Sequence, residues 1–323
     1  MIDVDKLKSG DRRTLAKAIT LIESTRVEDQ KSAQDLLSKI LPGNKKTFRL
    51  GVTGSPGVGK STFIEHFGQY LISKNYKVAV LAIDPSSPTS GGSILGDKTR
   101  MEKLANEENA FIRPTPTSGA LGGVAQKTRE AMLLCEAAGF DFIIVETVGV
   151  GQSEYEVASM VDFFMLLILP SGGDELQGIK KGILELADSI IINKADGANL
   201  NLAKKTQAQY QSALQITSAD SFWKTEVLIN SSINLENFDN LYKMLDSYRM
   251  LSEKNLQWEH KRQKQNLNWF ESLIKEIIFR RIYSDKTKNQ LFKDLSLKVE
   301  QQQISPIEAA YKIASGLLVT SLE

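Results

Sequence analysis

Cysteine is nearly absent from this 323-residue chain: Cys135 stands alone, so no internal disulfide can form. Histidine is almost as scarce, and with only His66 and His260 to add, a zinc centre of Cys and His ligands is nearly impossible. A reducing cytoplasm suits such a composition. Charge of one sign is missing too. Forty Lys and Arg against 39 Asp and Glu leave a net charge of +1, which supplies no global field toward nucleic acid or an anionic membrane. Long apolar runs are also lacking: the longest, Phe163 to Leu169, is less than half of the roughly 20 residues needed to cross a bilayer. The start, Met1-Ile2-Asp3-Val4-Asp5-Lys6, carries early acids and no apolar stretch, so neither a secretory signal nor a transit peptide is expected there. What remains, with 41% hydrophobic and 24% charged residues, is a globular chain. Its length allows one large domain with extensions or two smaller ones.

Hydrophobic periodicity divides the chain into three parts. Leu15, Ala18, Ile19 and Ile22 recur at helical spacing, as do Ala33, Leu36, Leu37 and Ile40 before Pro42-Gly43. Residues 1–45 are therefore expected to form a helical N-terminal extension. From Phe48 the period changes. Short β-rich runs at 48–53, 78–83, 141–147, 163–169, 188–193 and 226–230 alternate with helical stretches, one of which carries Val124, Thr128, Ala131, Cys135 and Ala138 as a stripe. The runs are close to continuously apolar, as in Phe142-Ile143-Ile144-Val145, which burial on both faces demands. Residues 46–250 thus read as an α/β domain with a mostly parallel sheet covered by helices on both faces. Beyond about residue 250 no strand signal appears. Leu267, Phe270, Ile274, Ile277 and Ile278 mark a long helix, with Trp269, Leu273 and Phe279 adding apolar surface on its other side. So wide an apolar arc calls for a second surface, either the chain's own domain or a second copy, and makes 251–323 a candidate dimerisation arm.

Two local motifs carry the chemistry. Gly54-Ser55-Pro56-Gly57-Val58-Gly59-Lys60-Ser61-Thr62 follows a strand pattern and opens a helix pattern, the context a phosphate-binding loop requires. Its glycines let backbone N–H groups turn onto phosphate oxygens at a helix N-terminus, Lys60 would reach the β and γ phosphates, and Ser61 would ligate Mg²⁺. Asn193-Lys194-Ala195-Asp196 closes the apolar run Ser189-Ile190-Ile191-Ile192, at the strand end where open parallel sheets bind ligands. Asp196 can accept from both guanine N1–H and its exocyclic amine, Asn193 can serve the N7/O6 edge, and the Lys194 stem can lie over the ring. Together the motifs predict a GTPase that binds GTP and GDP. Ser231, just past the last β-rich run, joins the expected nucleotide-contacting residues.

Asp141-Phe142-Ile143-Ile144-Val145-Glu146-Thr147-Val148-Gly149 adds an apolar strand delivering Glu146 toward the metal, directly or through water, and Gly149, whose N–H can sense the γ-phosphate. Val150 stands where small GTPases place a water-positioning Gln, so slow intrinsic hydrolysis is expected unless another group is delivered. The loop from Asp84 through Asp97 offers two acids for Mg²⁺ or its water shell; the alternative is that they cap a loop and a helix. The glycine-bearing stretch Ser171 to Gly182 holds Lys180 and Lys181, either of which could swing toward the nucleotide or lie on a solvated face.

The assembled blocks are similar to those of the MeaB/ArgK family of methylmalonyl-CoA mutase-associated GTPases, whose human counterpart is the MMAA protein. The resemblance rests on Arg113-Pro114-Thr115-Pro116-Thr117-Ser118-Gly119 with Leu121-Gly122-Gly123, and on the Asp84-to-Asp97 loop. Glu146-Thr147-Val148-Gly149-Val150-Gly151-Gln152-Ser153-Glu154, Gly173-Asp174-Glu175-Leu176-Gln177-Gly178 and Asn193-Lys194-Ala195-Asp196 extend it. It implies a P-loop GTPase of the signal-recognition-particle and MinD class, usually homodimeric, that binds a B12-dependent acyl-CoA mutase, gates its adenosylcobalamin loading and supports removal of damaged cofactor. The chain itself would hold only GTP and Mg²⁺, with no cobalamin of its own. The resemblance also implies Ser61, Asp84, Asp97 and Glu146 around the metal, and Lys180 as the residue that activates hydrolysis. Alternatives are an accessory kinase of amino-acid transport, a metallochaperone GTPase that this chain's few Cys and His disfavour, and an interaction module with a structural nucleotide.

Overall fold

The structure, a computed structural model, describes residues 2–40, 47–84, 101–116, 121–147, 152–170, 181–215, 222–232 and 238–318. Among them seven strands form one parallel sheet: β1 (Phe48–Gly54), β2 (Val78–Asp84), β3 (Ala110–Pro116), β4 (Phe142–Glu146), β5 (Phe163–Ile168), β6 (Ser189–Ile192) and β7 (Glu226–Ile229). Their order is β3-β2-β4-β1-β5-β6-β7, every neighbouring pair parallel. β4 and β5 therefore flank β1 on opposite sides, which puts the loop after β1 at the point where a crevice opens in such sheets. The continuously apolar runs become strands buried along their whole length, as β1, β4, β5 and β6 are. β3 has no counterpart among the β-rich runs read from the sequence. Pro114 and Pro116 lie within it and cannot donate to a ladder, but β3 is an edge strand paired only with β2, where proline is tolerated.

Helices cover both faces. The first are α1 (Val4–Lys8), α2 (Arg12–Glu23), α3 (Val27–Lys39), α4 (Lys60–Ser73), α5 (Glu102–Ala105), α6 (Leu121–Ala137) and α7 (Gln152–Ala158). They continue with α8 (Lys181–Leu186), α9 (Leu200–Gln215), α10 (Phe238–Lys254), α11 (Gln257–Ser284), α12 (Lys286–Glu300) and α13 (Pro306–Leu318). One core gathers Leu7, Leu15, Ile19 and Ile22 with Leu81, Cys135, Ile143 and Val157, so the N-terminal helices share the sheet's own core. Asp11 caps α2 by accepting from the Thr14 amide at 2.7 Å, and Arg113 of β3 pairs with Glu23 at its far end. The opposite core joins Leu50, Phe63, Phe67 and Phe163 to Phe238, Leu245 and Tyr248 of α10. Of the stripe expected on α6, Thr128, Ala131 and Cys135 are buried, as is Ala138 just past the helix end; the Val124 side chain lies outside the described ones.

The chain divides into two compact units, residues 1–259 and 260–323. The second is helical, and its α11 presents Leu267, Phe270 and Ile277 with 63%, 59% and 44% of their surface exposed, an extent unusual for side chains so apolar. No helix among the described residues is long and apolar enough to cross a membrane.

Candidate active site

β1 delivers the phosphate loop. Gly54 has a left-handed backbone (φ 149°), and a Cβ there would stand 2.4 Å from the Leu167 carbonyl oxygen of neighbouring β5, so only glycine fits. Ser55, Pro56 and Gly57 are exposed, Val58 is buried, and Gly59, again left-handed (φ 94°), leads into α4. Gly59 offers no side chain to cap that helix, so no capping side chain occupies its N-terminus, the end that suits an anion. Lys60 is buried, and its Nζ donates to the carbonyls of Gly54 at 2.8 Å and Ser55 at 3.3 Å. Burial pushes this lysine below its ordinary pKa, while Glu146 and Glu154 act in the opposite direction. Thr62, in the first turn, accepts through its carbonyl from or faces the His66 ring nitrogen at 2.9 Å.

β4 ends at Glu146, beside β1 and in register with Val52. The carboxylate is buried, and its Oε1 accepts from Ser61 Oγ at 3.0 Å. A hydroxyl and a buried carboxylate side by side at the foot of α4 are the oxygen donors a hard divalent cation takes, so this pair fits Mg²⁺. Asp84 ends β2, two residues beyond the Ala82 that pairs with Glu146, which sets its backbone at the same sheet edge. Asp97, Gly149 and Lys180 lie outside the described residues.

The third part comes from the ends of β6 and β7. Asn193 is buried; its Nδ2 donates to the Val58 carbonyl at 2.9 Å, leaving one amide N–H for a purine edge. Its Oδ1 accepts from Asn230 Nδ2 at 3.2 Å and Ser232 Oγ at 3.1 Å. Lys194 takes the left-handed backbone (φ 56°) rare outside glycine, and its Nζ donates to the Gly57 carbonyl at 2.7 Å. Asp196 is half-buried and precedes the 3₁₀ turn Gly197–Asn199 without spending its carboxylate on a cap. Ser231 is buried between Asn230 and Ser232.

The structure thus brings residues 54–62, Glu146 and Asn193 to Asp196 to one edge of the sheet, with the Asn193 and Lys194 side chains bonded to the phosphate-loop backbone. Asn230 and Ser232 escaped the sequence reading, because nothing in Ile229-Asn230-Ser231-Ser232 marks a partner 37 to 39 residues away. Thr53, Thr147 and Glu154 escaped it as a group for the same reason. The Thr53 hydroxyl accepts from Thr147 Oγ1 at 2.8 Å and donates to Glu154 Oε1 at 3.3 Å.

Comparison with known proteins supplies the family. The family described as "Methylmalonyl Co-A mutase-associated GTPase MeaB" matches residues 15–287. The GTPase ArgK of Escherichia coli is 46% identical over 304 residues, covering 94% of this chain and 92% of that protein. The mitochondrial methylmalonic aciduria type A homolog of Mus musculus is 45% identical over 318 residues, 94% of this chain and 76% of the mouse protein. A crystal structure named LAO/AO transport system kinase superposes with a TM-score of 0.75 at 38% identity, covering 98% of this chain and 96% of that one. A phosphate loop after β1, a guanine-type motif after β6 and likeness along nearly the whole chain lead to one assignment: the chain belongs to the MeaB family of P-loop GTPases.

Proposed function

We infer that this GTPase is a chaperone for a B12-dependent acyl-CoA mutase, in the first place methylmalonyl-CoA mutase, coupling GTP binding and hydrolysis to adenosylcobalamin loading and to protection or reactivation of that enzyme. The observation that carries the reading is the match of residues 15–287 to a family described by its association with that mutase. The name of the mouse relative points the same way. In the cycle, Lys60 leaves the Gly54 and Ser55 carbonyls for the β and γ phosphates, and the loop amides take the remaining phosphate oxygens. Asp196 selects guanine. Ser61 and Glu146, joined by Asp84 and Asp97 as the family resemblance implies, would hold Mg²⁺. Held there, such an ion would supply positive charge against the phosphates. Gly149 would report the γ-phosphate and Lys180 would activate hydrolysis. The change in phosphate occupancy then alters affinity for the mutase, and by linkage the mutase alters nucleotide affinity equally.

The exposed apolar face of α11 in the C-terminal unit supports a homodimer built through residues 251–323. A cytoplasmic setting suits a chain whose lone cysteine is buried. The decisive experiment measures GTP and ATP hydrolysis at fixed Mg²⁺ with and without the organism's B12-dependent acyl-CoA mutases. Slow GTP-specific turnover that rises with a mutase is expected; turnover indifferent to every such mutase removes the partner and leaves the GTPase. The name of the solved relative favours a second reading, an accessory kinase of amino-acid transport. Transfer of radiolabelled phosphate from GTP to a protein would establish it.

A further inference from the structure

Behind the phosphate loop lies a carboxylate that the phosphate and guanine motifs do not use. Glu154, on α7, is only 3% exposed, a rare state for a glutamate without a specific role for its charge. An ionised carboxylate can only accept, so the Thr53 hydroxyl must donate to it. With its proton committed, Thr53 can only accept from Thr147, as the 2.8 Å contact requires. Thr147 is fixed a second time by its own amide, which donates to the Val52 carbonyl at 3.0 Å. One buried charge therefore sets the direction of a hydroxyl chain joining Thr53 of β1, immediately before Gly54, to the residue immediately after Glu146. Glu154 also lies close enough to Lys60 to favour its charged form.

We propose that Glu154 is a positioning residue for GTP hydrolysis: its buried carboxylate, through Thr53 and Thr147, holds the root of the phosphate loop and the end of β4 in one arrangement. The proposal rests on the chain's assignment as a P-loop GTPase. The charge of Glu154 and the hydroxyl chain it directs separate by sign. Removing the negative charge beside the phosphate site should tighten nucleotide, because a phosphate is repelled by a buried carboxylate. Losing the directed hydroxyl chain should slow the chemical step without that tightening.

The test uses the full chain with Glu154→Gln, Thr53→Val and Thr53→Ser, each titrated with a fluorescent GTP analogue and followed in single-turnover GTP hydrolysis. Glu154→Gln keeps the side chain's size but removes the charge, and its amide can present N–H instead of oxygen to Thr53, so the hydroxyl direction is no longer enforced; it is expected to bind GTP several-fold more tightly while hydrolysing it about tenfold more slowly. Thr53→Val is expected to hydrolyse slowly at wild-type affinity, and Thr53→Ser, which restores the hydroxyl, to recover the rate. Wild-type affinity and rate in Glu154→Gln would overturn the proposal, as would affinity and rate that fall together with the melting temperature, the mark of a packing role. Should Glu154→Gln not fold, the Thr53 pair decides: a rate lost in Val and regained in Ser upholds the proposal, and equal rates refute it. Absence of GTP turnover in the wild-type chain is a different result, which would remove the GTPase assignment itself.

Discussion

The two ends of the nucleotide site solve the burial of polar groups in opposite ways. At the phosphate end the buried groups are ionisable: Lys60, Glu146 and Glu154 all lie below 10% exposure. At the base end they are neutral, with Asn193, Asn230 and Ser232 bonded among themselves. A phosphate brings charge, so a buried lysine held on loop carbonyls and balanced by carboxylates is ready to exchange one set of partners for another. A base brings none. There a neutral network needs no counter-ion, with a single half-buried carboxylate, Asp196, left to discriminate. Asn193 to Val58 and Lys194 to Gly57 are the bonds through which the two ends share one loop backbone.

The largest effect should come from the phosphate end. Lys60→Ala is expected to lower GTP turnover by at least about a hundredfold, because among the described residues no other buried cation bonds to the loop carbonyls; a phosphate-release assay showing unchanged turnover would sink the phosphate assignment. Next, Asp196→Asn should weaken GTP and admit xanthosine triphosphate, a change in base preference of at least about a hundredfold, since donor and acceptor swap places. Competition binding with both nucleotides checks it, and an unaltered preference refutes the guanine reading. A smaller, mainly structural effect is expected from Asn193→Ala, which strips the Asn230 and Ser232 side chains of their shared acceptor. The cost is about 1–3 kcal/mol, seen as a lower melting temperature together with weaker binding of both GTP and GDP. Phe270→Ser and Ile277→Ser, on the exposed face of α11, should change stability by less than about 0.5 kcal/mol each. Light scattering should nevertheless show loss of the dimer, and an unaltered mass would take the dimer off this face.

The core strands were legible because burial on both faces writes itself as an unbroken apolar run. β3 was not, since an edge strand tolerates Pro114 and Pro116 and so loses the usual signal. The N-terminal helices were legible as helices from Leu15, Ile19 and Ile22, but their place in the sheet's own core was not, because periodicity names a buried face without naming what buries it.

By itself the sequence determined everything that local chain geometry dictates: a glycine-rich turn between a strand and a helix, a four-residue motif at a strand end, and the alternation that makes a parallel sheet. Those features act within a few residues, where sterics and periodicity govern. Only the tertiary structure decided which distant side chains meet. The order β2-β4-β1-β5-β6-β7 sets Glu154 against Thr53, 101 residues away, and Asn230 against Asn193, 37 residues away. A buried polar atom requires a partner but does not encode in the chain which one; the sheet supplies it by bringing the strand ends to a common edge.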